Sequence, residues 1–409
     1  MDNFDIEKTI RFLKSHFSSE IRAHKTILRR EGDFHPLPGS LNPDLKALLV
    51  KMGISSLYSH QIEAYETISQ MNDTVIVSQT ASGKTLSFLI PIMNQYLNEK
   101  KPFSVLFLYP TKALSRDQES TISKMMRALV SECKMGTFDG DTPIEEREFL
   151  QKNADFIITN PDMLHSGILP NHNRRWRNFL ARLRFIVVDE VHSYKGAFGS
   201  HTSNVFRRLM RVCEIHGKSP QFIACSATSS NPGEHAEALF HKPFRIVSKD
   251  GAPKPSREFY FLNPGIIKGP GDTYFRKGVS SISIPLIRNA TENGIRTICF
   301  CRARQQVERL YRAVTDGKHQ FRDKIKPYRG GLLPNERRSL ERDLFNGRIN
   351  TIITTNALEL GIDIGSLQLC ILSGHPGSIA SFWQQAGRVG RRFLYSVSLL
   401  LKECNVWSV

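Results

Sequence analysis

Short apolar runs alternate with helix-length amphipathic segments along most of this chain, and this alternation constrains the fold more than any other feature. The runs in the first half are VIV at 75–77, SVLFLY at 104–109, FIIT at 156–159, FIVVD at 185–189 and FIACSAT at 222–228. Runs that are apolar throughout are typical of strands that are covered on both faces, as in a parallel sheet. The sequence therefore predicts an α/β fold built on a parallel sheet.

A second set of apolar runs follows and predicts a second α/β domain in tandem with the first. These runs are ICFC at 298–301, PYRGG at 327–331, TIITT at 351–355 and LCIL at 369–372. The predicted organisation is a helical N-terminal extension (1–55), a first domain (56–250), a linker region rich in Pro, Gly and Lys (251–278), a second domain (279–393) and an atypical tail (394–409). The run EFYFL at 258–262 is a candidate first strand of the second domain, and residues 393–409 contain a candidate last strand.

The chain is strongly basic, which favours anionic partners. Its 56 Lys and Arg residues outnumber 39 Asp and Glu residues and leave a net charge of +17. Nucleic acid is the natural partner of such a surface, although a well-solvated basic surface without a partner remains an alternative.

The termini and cysteines predict a soluble cytoplasmic protein with no membrane partner. No secretory signal opens the chain, and no apolar run approaches the ~18 residues that a membrane span requires. The seven cysteines include no C-x-x-C pair, so we expect reduced thiols and no zinc site in this chain.

A phosphate-binding loop is predicted at TASGKT, which comprises Thr80, Ala81, Ser82, Gly83, Lys84 and Thr85. It follows an apolar run and precedes a helical segment, so its backbone amides would face an anion at a helix N-terminus. Lys84 would reach the β and γ phosphates of ATP, and the Thr85 hydroxyl would bind Mg²⁺. The strict pattern has glycine where this chain has Ser78, so the motif needs partners elsewhere in the chain.

Asp189 and Glu190 end the apolar run FIVV and are the predicted partners of this loop. They would lie at the carboxyl edge of the sheet, where such folds bind ligands. Asp189 would hold Mg²⁺ partly through water, and Glu190 would orient or deprotonate the attacking water. An acidic turn after a strand is the alternative interpretation.

Two arginines in QQAGRVGR, Arg388 and Arg391, are predicted to neutralise the γ-phosphate. If they come from the second domain, hydrolysis would be coupled to domain motion. A simple basic loop that binds phosphate is the alternative.

Together these motifs resemble those of superfamily 2 DEXH-box helicases, and within them the bacterial MrfA (YprA) DNA-helicase family. The resemblance covers roughly residues 40 to 392, and the longer strings that carry it are ITNPDMLH, FGSH at 198–201, NALELGIDIG and HPGSIASFWQQAGR. It implies two RecA-like domains, ATP and Mg²⁺ as cofactors, and DNA as partner.

The resemblance also implies roles for individual residues. Gln61 in LYSHQ would read adenine, and Gly361 and Asp363 in TTNALELGID would lie near the nucleotide. Ser226 and Thr228 in SAT, together with His192 and Gln384, would couple the ATP state to the grip on nucleic acid.

Cations and short hydroxyl side chains after strands are predicted to contact a nucleic-acid backbone without reading bases. The predicted contacts are Thr111, Lys112, Arg116, Thr159, Arg302, Arg329 and Thr354. Any one of them could instead be an ordinary surface residue.

The chain departs from its relatives after the arginine motif. The family continues into a C-terminal domain with a four-cysteine metal site, whereas residues 393–409 contain only Cys404. The favoured hypothesis is an ATP-driven DNA helicase or translocase core, 3′ to 5′ and serving DNA repair by resemblance. The alternatives are a truncated nucleic-acid-binding ATPase that does not unwind, and an RNA helicase.

Overall fold

A computed structural model describes residues 4–79, 82–99, 101–227, 231–332, 334–359, 367–390 and 395–401. The chain divides into two compact units. The first unit is Gly32–Ala252, and the second unit combines Met1–Glu31 with Pro253–Val409.

Helices flank the strands of both units. The described α-helices are α1 Phe4–His16, α2 Pro43–Lys51, α3 Ser59–Ser69, α4 Lys84–Asn98, α5 Lys112–Leu129, α6 Ile144–Asn153, α7 Pro161–Met163, α8 Arg177–Leu180, α9 Gly196–Ile215, α10 Pro232–Phe240, α11 Ser280–Glu292, α12 Arg304–Thr315, α13 Phe321–Lys324, α14 Pro334–Phe345 and α15 Ile379–Ala386. A π-helical turn at Leu164–Ile168 and a 3₁₀ turn at Val191–Ser193 also matter for the sites described below.

The strands are short. They are β1 Ile21–Ile27, β2 Phe34–Pro36, β3 Ser56–Tyr58, β4 Thr74–Val77, β5 Ser104–Leu108, β6 Met135–Thr137, β7 Phe156–Thr159, β8 Leu183–Val188, β9 Gln221–Ser226, β10 Arg245–Val247, β11 Ser256–Leu262, β12 Ile266–Lys268, β13 Tyr274–Arg276, β14 Thr297–Cys301, β15 Ile325–Tyr328, β16 Thr351–Thr354, β17 Leu369–Ser373 and β18 Tyr395–Leu401.

The first unit contains a seven-stranded parallel sheet in the order β10-β4-β9-β8-β5-β7-β6. Successive residues of a strand enter different cores. Val75 and Val77 pack into one cluster, and Ile76 between them packs into the other. Because both faces are covered, Val75, Ile76 and Val77 are all apolar, which confirms the predicted parallel α/β fold.

The second unit is also built on a seven-stranded sheet, in the order β1-β11-β18-β17-β14-β16-β15. All neighbouring pairs are parallel except β1 and β11. The four predicted runs of this half correspond to β14–β17, so two parallel-sheet domains are confirmed.

The N-terminal segment differs from the predicted helical extension. It is helical at α1 and α2 but extended at β1 and β2, and Met1–Glu31 belongs to the second unit. The face that carries Ile6, Ile10 and Leu13 packs into the core of the second unit. The sequence pattern does not reveal β1, because apolar and polar residues alternate only weakly in IRAHKTI and most of its side chains are exposed. β1 is an edge strand that is stabilised by pairing with β11.

The predicted linker and tail also need correction. Residues 251–278 contain β11, which is a strand of the second sheet, and the β12–β13 hairpin. The tail begins with β18, which lies between β11 and β17 in the interior of that sheet. The candidate strand EFYFL falls within β11, and the candidate last strand of the second domain corresponds to β18. No described helix is long and apolar enough to cross a membrane.

Candidate nucleotide and nucleic-acid sites

Three of the predicted ATP-site segments follow neighbouring strands of the first sheet. The phosphate loop follows β4, the Asp189–Glu190 pair follows β8, and the SAT segment ends β9, which lies between the other two. Parallel strands direct their carboxyl ends to one edge, so this order brings the three segments together.

Gly83 of the phosphate loop directly precedes α4, and its backbone is in the left-handed conformation with φ of 78°. A Cβ at this position would lie 2.6 Å from the Gln61 side-chain nitrogen. That nitrogen donates to the Gly83 carbonyl oxygen at 3.1 Å, and the Tyr58 amide donates to the Gln61 side-chain oxygen at 2.9 Å. The backbone conformation therefore favours glycine, a Cβ here would displace the Gln61 side chain, and Gln61 is tied to the loop. Thr80 and Ala81 lie outside the described residues.

Ser78 replaces the glycine of the strict motif without strain. The described non-glycine residues with positive φ are Met71, Glu190 and His241, so Ser78 needs no glycine conformation. Its hydroxyl accepts a hydrogen bond from the Ser82 hydroxyl at 2.7 Å. A serine here closes the loop with a side-chain bond that glycine could not make.

His60 is a contact of this loop that the sequence motifs do not predict. The ring is fully buried, its Nε2 lies 3.1 Å from the Ser82 carbonyl oxygen, and its Nδ1 accepts from the Gly251 amide at 3.2 Å. The second bond makes Nε2 the protonated nitrogen, so it donates to Ser82. In the sequence, only its position next to Gln61 indicates that His60 lies near the nucleotide site, whereas its contact with Gly251 depends on tertiary structure.

Lys84 and Thr85 begin α4 and fit the phosphates and metal of ATP-Mg²⁺. The Lys84 ammonium nitrogen is buried and has no hydrogen-bond partner among the described residues. A buried, unpartnered cation at a helix N-terminus fits an anionic ligand. The Thr85 hydroxyl donates to the Gln118 side-chain oxygen at 3.0 Å, which orients its oxygen lone pairs.

Asp189 and Glu190 are buried at the end of β8. Burial, reinforced by the Glu190 charge and opposed by Lys84, raises the pKa of Asp189 to about 7. Glu190 has a φ of 52°, and its amide donates to Asp189 Oδ1 at 2.7 Å. A carboxylate pair this costly to bury fits a divalent cation, and left-handed backbone in a non-glycine residue often marks a functional site.

His192 connects the acidic pair to the SAT segment. Its Nδ1 accepts from the Ala227 amide at 3.0 Å, and its Nε2 lies 3.1 Å from Glu190 Oε2. Burial lowers the pKa of His192 to about 4, so the ring is neutral, and the bond to Nδ1 leaves its proton on Nε2, next to the carboxylate. This bridge supports the predicted coupling role of His192.

Two hydrogen bonds to backbone groups hold Ser226 of the SAT segment in place. The Ser226 hydroxyl donates to the Ala227 carbonyl oxygen at 2.9 Å, and the Ser226 carbonyl accepts from the Ser78 amide at 3.2 Å. Thr228 lies outside the described residues. Ser226 is therefore linked to the strand end that carries the phosphate loop.

In the second unit, Arg388 is buried after α15 and donates from Nε to the Glu359 carbonyl oxygen at 3.1 Å. The neighbouring Gln385 donates to the Glu359 carboxylate at 2.8 Å, and Gln384 is also buried. This arrangement positions the arginine motif against the segment that follows β16. Arg391, Gly361 and Asp363 lie outside the described residues, and the γ-phosphate role of the arginines stays a prediction.

The predicted nucleic-acid contacts Lys112 and Arg116 lie in the first turns of α5. Lys112 pairs with Asp141 at 3.2 Å, and Arg116 lies 3.4 Å from both Asp139 and Asp141. Thr111 caps the helix by accepting from the Leu114 amide. These carboxylates hold the two cationic side chains in place, and a nucleic-acid phosphate would compete with them for the same cations.

The equivalent cations of the second unit also follow strands. Arg302 is exposed after β14, and Arg329 follows β15 with its Nε 3.2 Å from Glu308. Both retain surface that can face an anion.

Thr159 and Thr354 differ from the prediction. Both are fully buried at strand ends, where Thr159 donates to the Phe138 carbonyl oxygen at 2.6 Å and Thr354 donates to the Thr355 carbonyl oxygen at 3.1 Å. The structure gives these hydroxyls internal partners and no exposed surface, in place of the predicted phosphate contacts. A threonine at the end of a buried strand needs such a partner, and the sequence pattern alone does not reveal it.

Two family models match the chain and together span both units. A DEAD/DEAH box helicase domain matches residues 58–235, and a helicase conserved C-terminal domain matches residues 281–393. The chain belongs to the superfamily 2 DEXH-box helicases. Its first unit carries the phosphate loop and acidic box, and its second carries the arginine motif.

Relatives and solved structures agree with this assignment. The chain is 42% identical over 378 residues to the ATP-dependent helicase YprA of Bacillus subtilis, which covers 92% of this chain and 50% of YprA. It is 37% identical over 409 residues to the ATP-dependent helicase HRQ1 of Saccharomyces cerevisiae, covering 97% of this chain and 37% of HRQ1. The crystal structure of the DUF1998 helicase MrfA bound to DNA and AMPPNP matches with a TM-score of 0.91 and 40% identity, over 98% of this chain and 55% of that chain.

The chain thus spans about half the length, or less, of these relatives. What is shared is an ATP-dependent helicase core.

Proposed function

We propose that this chain is the motor core of a DNA helicase or translocase that couples ATP hydrolysis to 3′ to 5′ movement on single-stranded DNA, in DNA repair. The carrying observation is the buried Lys84 ammonium, which has no hydrogen-bond partner among the described residues and lies at the same sheet edge as Asp189 and Glu190. DNA as the substrate is supported by the solved MrfA complexes, which contain DNA.

ATP with Mg²⁺ is the proposed cofactor. Thr85 and Asp189 would hold the metal, which neutralises phosphate charge when it is bound. Glu190 would orient the attacking water, and His192 Nε2 lies 3.1 Å from its carboxylate. Lys84 would bind the β and γ phosphates, and Arg388 and Arg391 would complete the charge neutralisation. Because phosphoryl transfer depends on position and charge, each of these groups is expected to act mainly on kcat.

The decisive experiment compares Lys84→Ala with the chain itself and with Lys51→Ala, a control at an exposed lysine of the same unit. The chain should hydrolyse ATP faster when single-stranded DNA is added. Lys84→Ala should lower the stimulated rate about 100-fold or more, because it removes a preorganised charge at the phosphates. Stimulated hydrolysis that survives in Lys84→Ala would overturn the proposed ATP site.

A second candidate is a nucleic-acid-binding ATPase that does not separate strands. A displacement assay on residues 1–409, with a duplex that carries a 3′ single-stranded tail, separates the two. ATP hydrolysis without displacement would favour this candidate, and displacement from a 5′ tail alone would contradict the proposed polarity.

An RNA helicase is the third candidate. The same ATPase assay with DNA and RNA strands of equal length and composition tests it. Stronger stimulation by RNA would replace DNA as the proposed substrate.

A further inference from the structure

The segment FGSH at 198–201 has no role in the ATP site described above, yet it opens α9 directly after the acidic box. Together with the segment after β7 it lines a surface cavity of about 450 Å³ in the first unit. This volume is in the range of ligand sites in proteins.

Phe198 presents an aromatic face to this cavity and is 41% exposed. A singly exposed phenylalanine is common on protein surfaces, but this ring is held in place. It stacks on Tyr194, with ring centroids 5.3 Å apart and an angle of 22° between the planes. Tyr194 is itself buried and packs edge-on against Phe206 in the core.

The glycines around Phe198 allow this arrangement. Gly196 has a φ of 57°, and a Cβ at Gly199 would lie 2.5 Å from the Tyr194 carbonyl oxygen. The close approach of α9 to the Tyr194 backbone therefore needs glycine at position 199. The two glycines thus allow the start of α9 to lie against Tyr194, on which the Phe198 ring stacks.

The rest of the cavity lining is mostly polar, and α9, which carries Phe198, also contributes cationic side chains to it. Asp162 and His165 come from the segment after β7, and Arg208 and Arg211 come from α9. Arg208 donates to the His165 carbonyl oxygen at 3.4 Å, in a π-helical turn. π-Helical turns are frequent at functional sites because they displace backbone groups from the regular ladder.

Phe198 is also close in sequence to the catalytic carboxylates. From Glu190, with its left-handed backbone, the chain passes through the 3₁₀ turn Val191–Ser193 to Tyr194. The Tyr194 hydroxyl is buried, and the charges of Asp189 and Glu190 contribute, after burial itself, to raising its pKa. In this turn the Ser193 amide donates to the Glu190 carbonyl oxygen at 2.8 Å, and the Tyr194 amide donates to the Val191 carbonyl oxygen at 3.0 Å. The turn therefore connects the ring that supports Phe198 with Glu190.

We propose that this cavity binds one nucleotide of a single DNA strand, with the base stacked on Phe198 and the phosphate near Arg208, and that Tyr194 transmits its occupancy to Glu190. This proposal rests on the proposed function and deepens it. Aromatic stacking suits a translocating motor, because every base has a π-face and no sequence is read. Phe198 is thus a substrate-contacting residue, and Tyr194 is a positioning residue.

The test measures the affinity of the full 409-residue chain for a labelled oligodeoxythymidylate strand, and for an abasic strand of the same length. Loss of one base–aromatic stack is expected to weaken binding of the thymidine strand by about tenfold in Phe198→Ala. Binding of the abasic strand should be unchanged, because no base is present to stack. Stimulation of ATP hydrolysis by the thymidine strand should fall in the same variant.

Three further variants control this test. Phe198→Trp should retain affinity, because it keeps a stacking surface. Phe198→Leu should resemble Phe198→Ala, because it keeps apolar volume without a π-face. Phe149→Ala removes another exposed phenylalanine of the same unit and should change nothing.

Equal losses on thymidine and abasic strands, or no loss on either, would overturn the stacking role. If Phe198→Ala impairs binding of an RNA strand but not of DNA, the site belongs to RNA and the DNA assignment is wrong. If the unaltered chain is not stimulated by DNA, the proposed function fails first and this proposal fails with it. Stimulation that persists unchanged in Phe198→Ala would overturn this proposal alone.

Discussion

At the scale of single residues, two energetically unfavourable features lie at one edge of the first sheet. The Lys84 ammonium is buried without a hydrogen-bond partner in the described structure, and Glu190 adopts a left-handed backbone. Each feature costs of order 1–3 kcal/mol and persists only where surrounding structure enforces it. Such costs are expected where a charged ligand compensates for them.

Gly83→Ala tests the link between the phosphate loop and Gln61. The new Cβ would meet the Gln61 side chain, so we expect the KM for ATP to rise about tenfold as the Gln61 contact is displaced. Stability should fall by about 1 kcal/mol because alanine disfavours positive φ. ATP titration of the hydrolysis rate and thermal unfolding measure the two effects.

Gly217→Ala is the matched control, because Gly217 has a φ of 67° and open space around it. It should share the loss of stability and leave the KM unchanged. An unchanged KM in Gly83→Ala would contradict the role given to Gln61.

At the scale of elements, the N-terminal segment is the main departure from expectation. α1 packs its apolar face into the core of the second unit, and β1 pairs antiparallel with β11. The second unit is therefore assembled from both ends of the described chain. Truncation before residue 31 would expose an apolar core surface and an unpaired strand edge.

Leu13→Ala tests this packing. Leu13 is buried in the core of the second unit, so its truncation should destabilise that unit by about 3 kcal/mol. Hydrogen exchange should accelerate in β11 and α11 and remain unchanged in β4 and β8. Leu28→Ala, at a side chain that is 77% exposed, should leave both regions unchanged. Faster exchange in the first unit would show that the two units do not open independently.

At the scale of the whole molecule, the two units divide the predicted chemistry. Gln61, Lys84, Thr85, Asp189 and Glu190 all belong to the first unit, whereas Arg388 belongs to the second. ATP binding and efficient hydrolysis should therefore be separable.

The isolated fragment 32–252 tests this division. It contains a complete sheet with cores on both faces, so we expect it to fold and to bind ATP with Mg²⁺. Hydrolysis stimulated by DNA should fall at least 100-fold, because the arginine motif is missing. Nucleotide-dependent thermal stabilisation and steady-state hydrolysis measure both. A fragment with full stimulated activity would remove Arg388 and Arg391 from the proposed mechanism.

Much of the fold and of the ATP site is predictable because it depends on local order along the chain. Apolar runs determine β4, β5, β7, β8 and β9, since strands covered on both faces are largely apolar. Residues that follow such strands converge at one edge, so the sequence by itself groups Lys84, Asp189 and Glu190.

Tertiary structure alone decided the features that depend on partners distant in sequence. Only the folded chain shows that β1 joins the second sheet, that β18 lies in its interior, and that His60 binds Ser82 and Gly251. Only the folded chain likewise shows that Thr159 and Thr354 are buried with internal partners for their hydroxyls, whereas Arg302 is exposed. The physical reason is that apolar periodicity and motif spacing are local properties, whereas edge pairing and hydroxyl satisfaction depend on which distant backbone groups fall within hydrogen-bond reach.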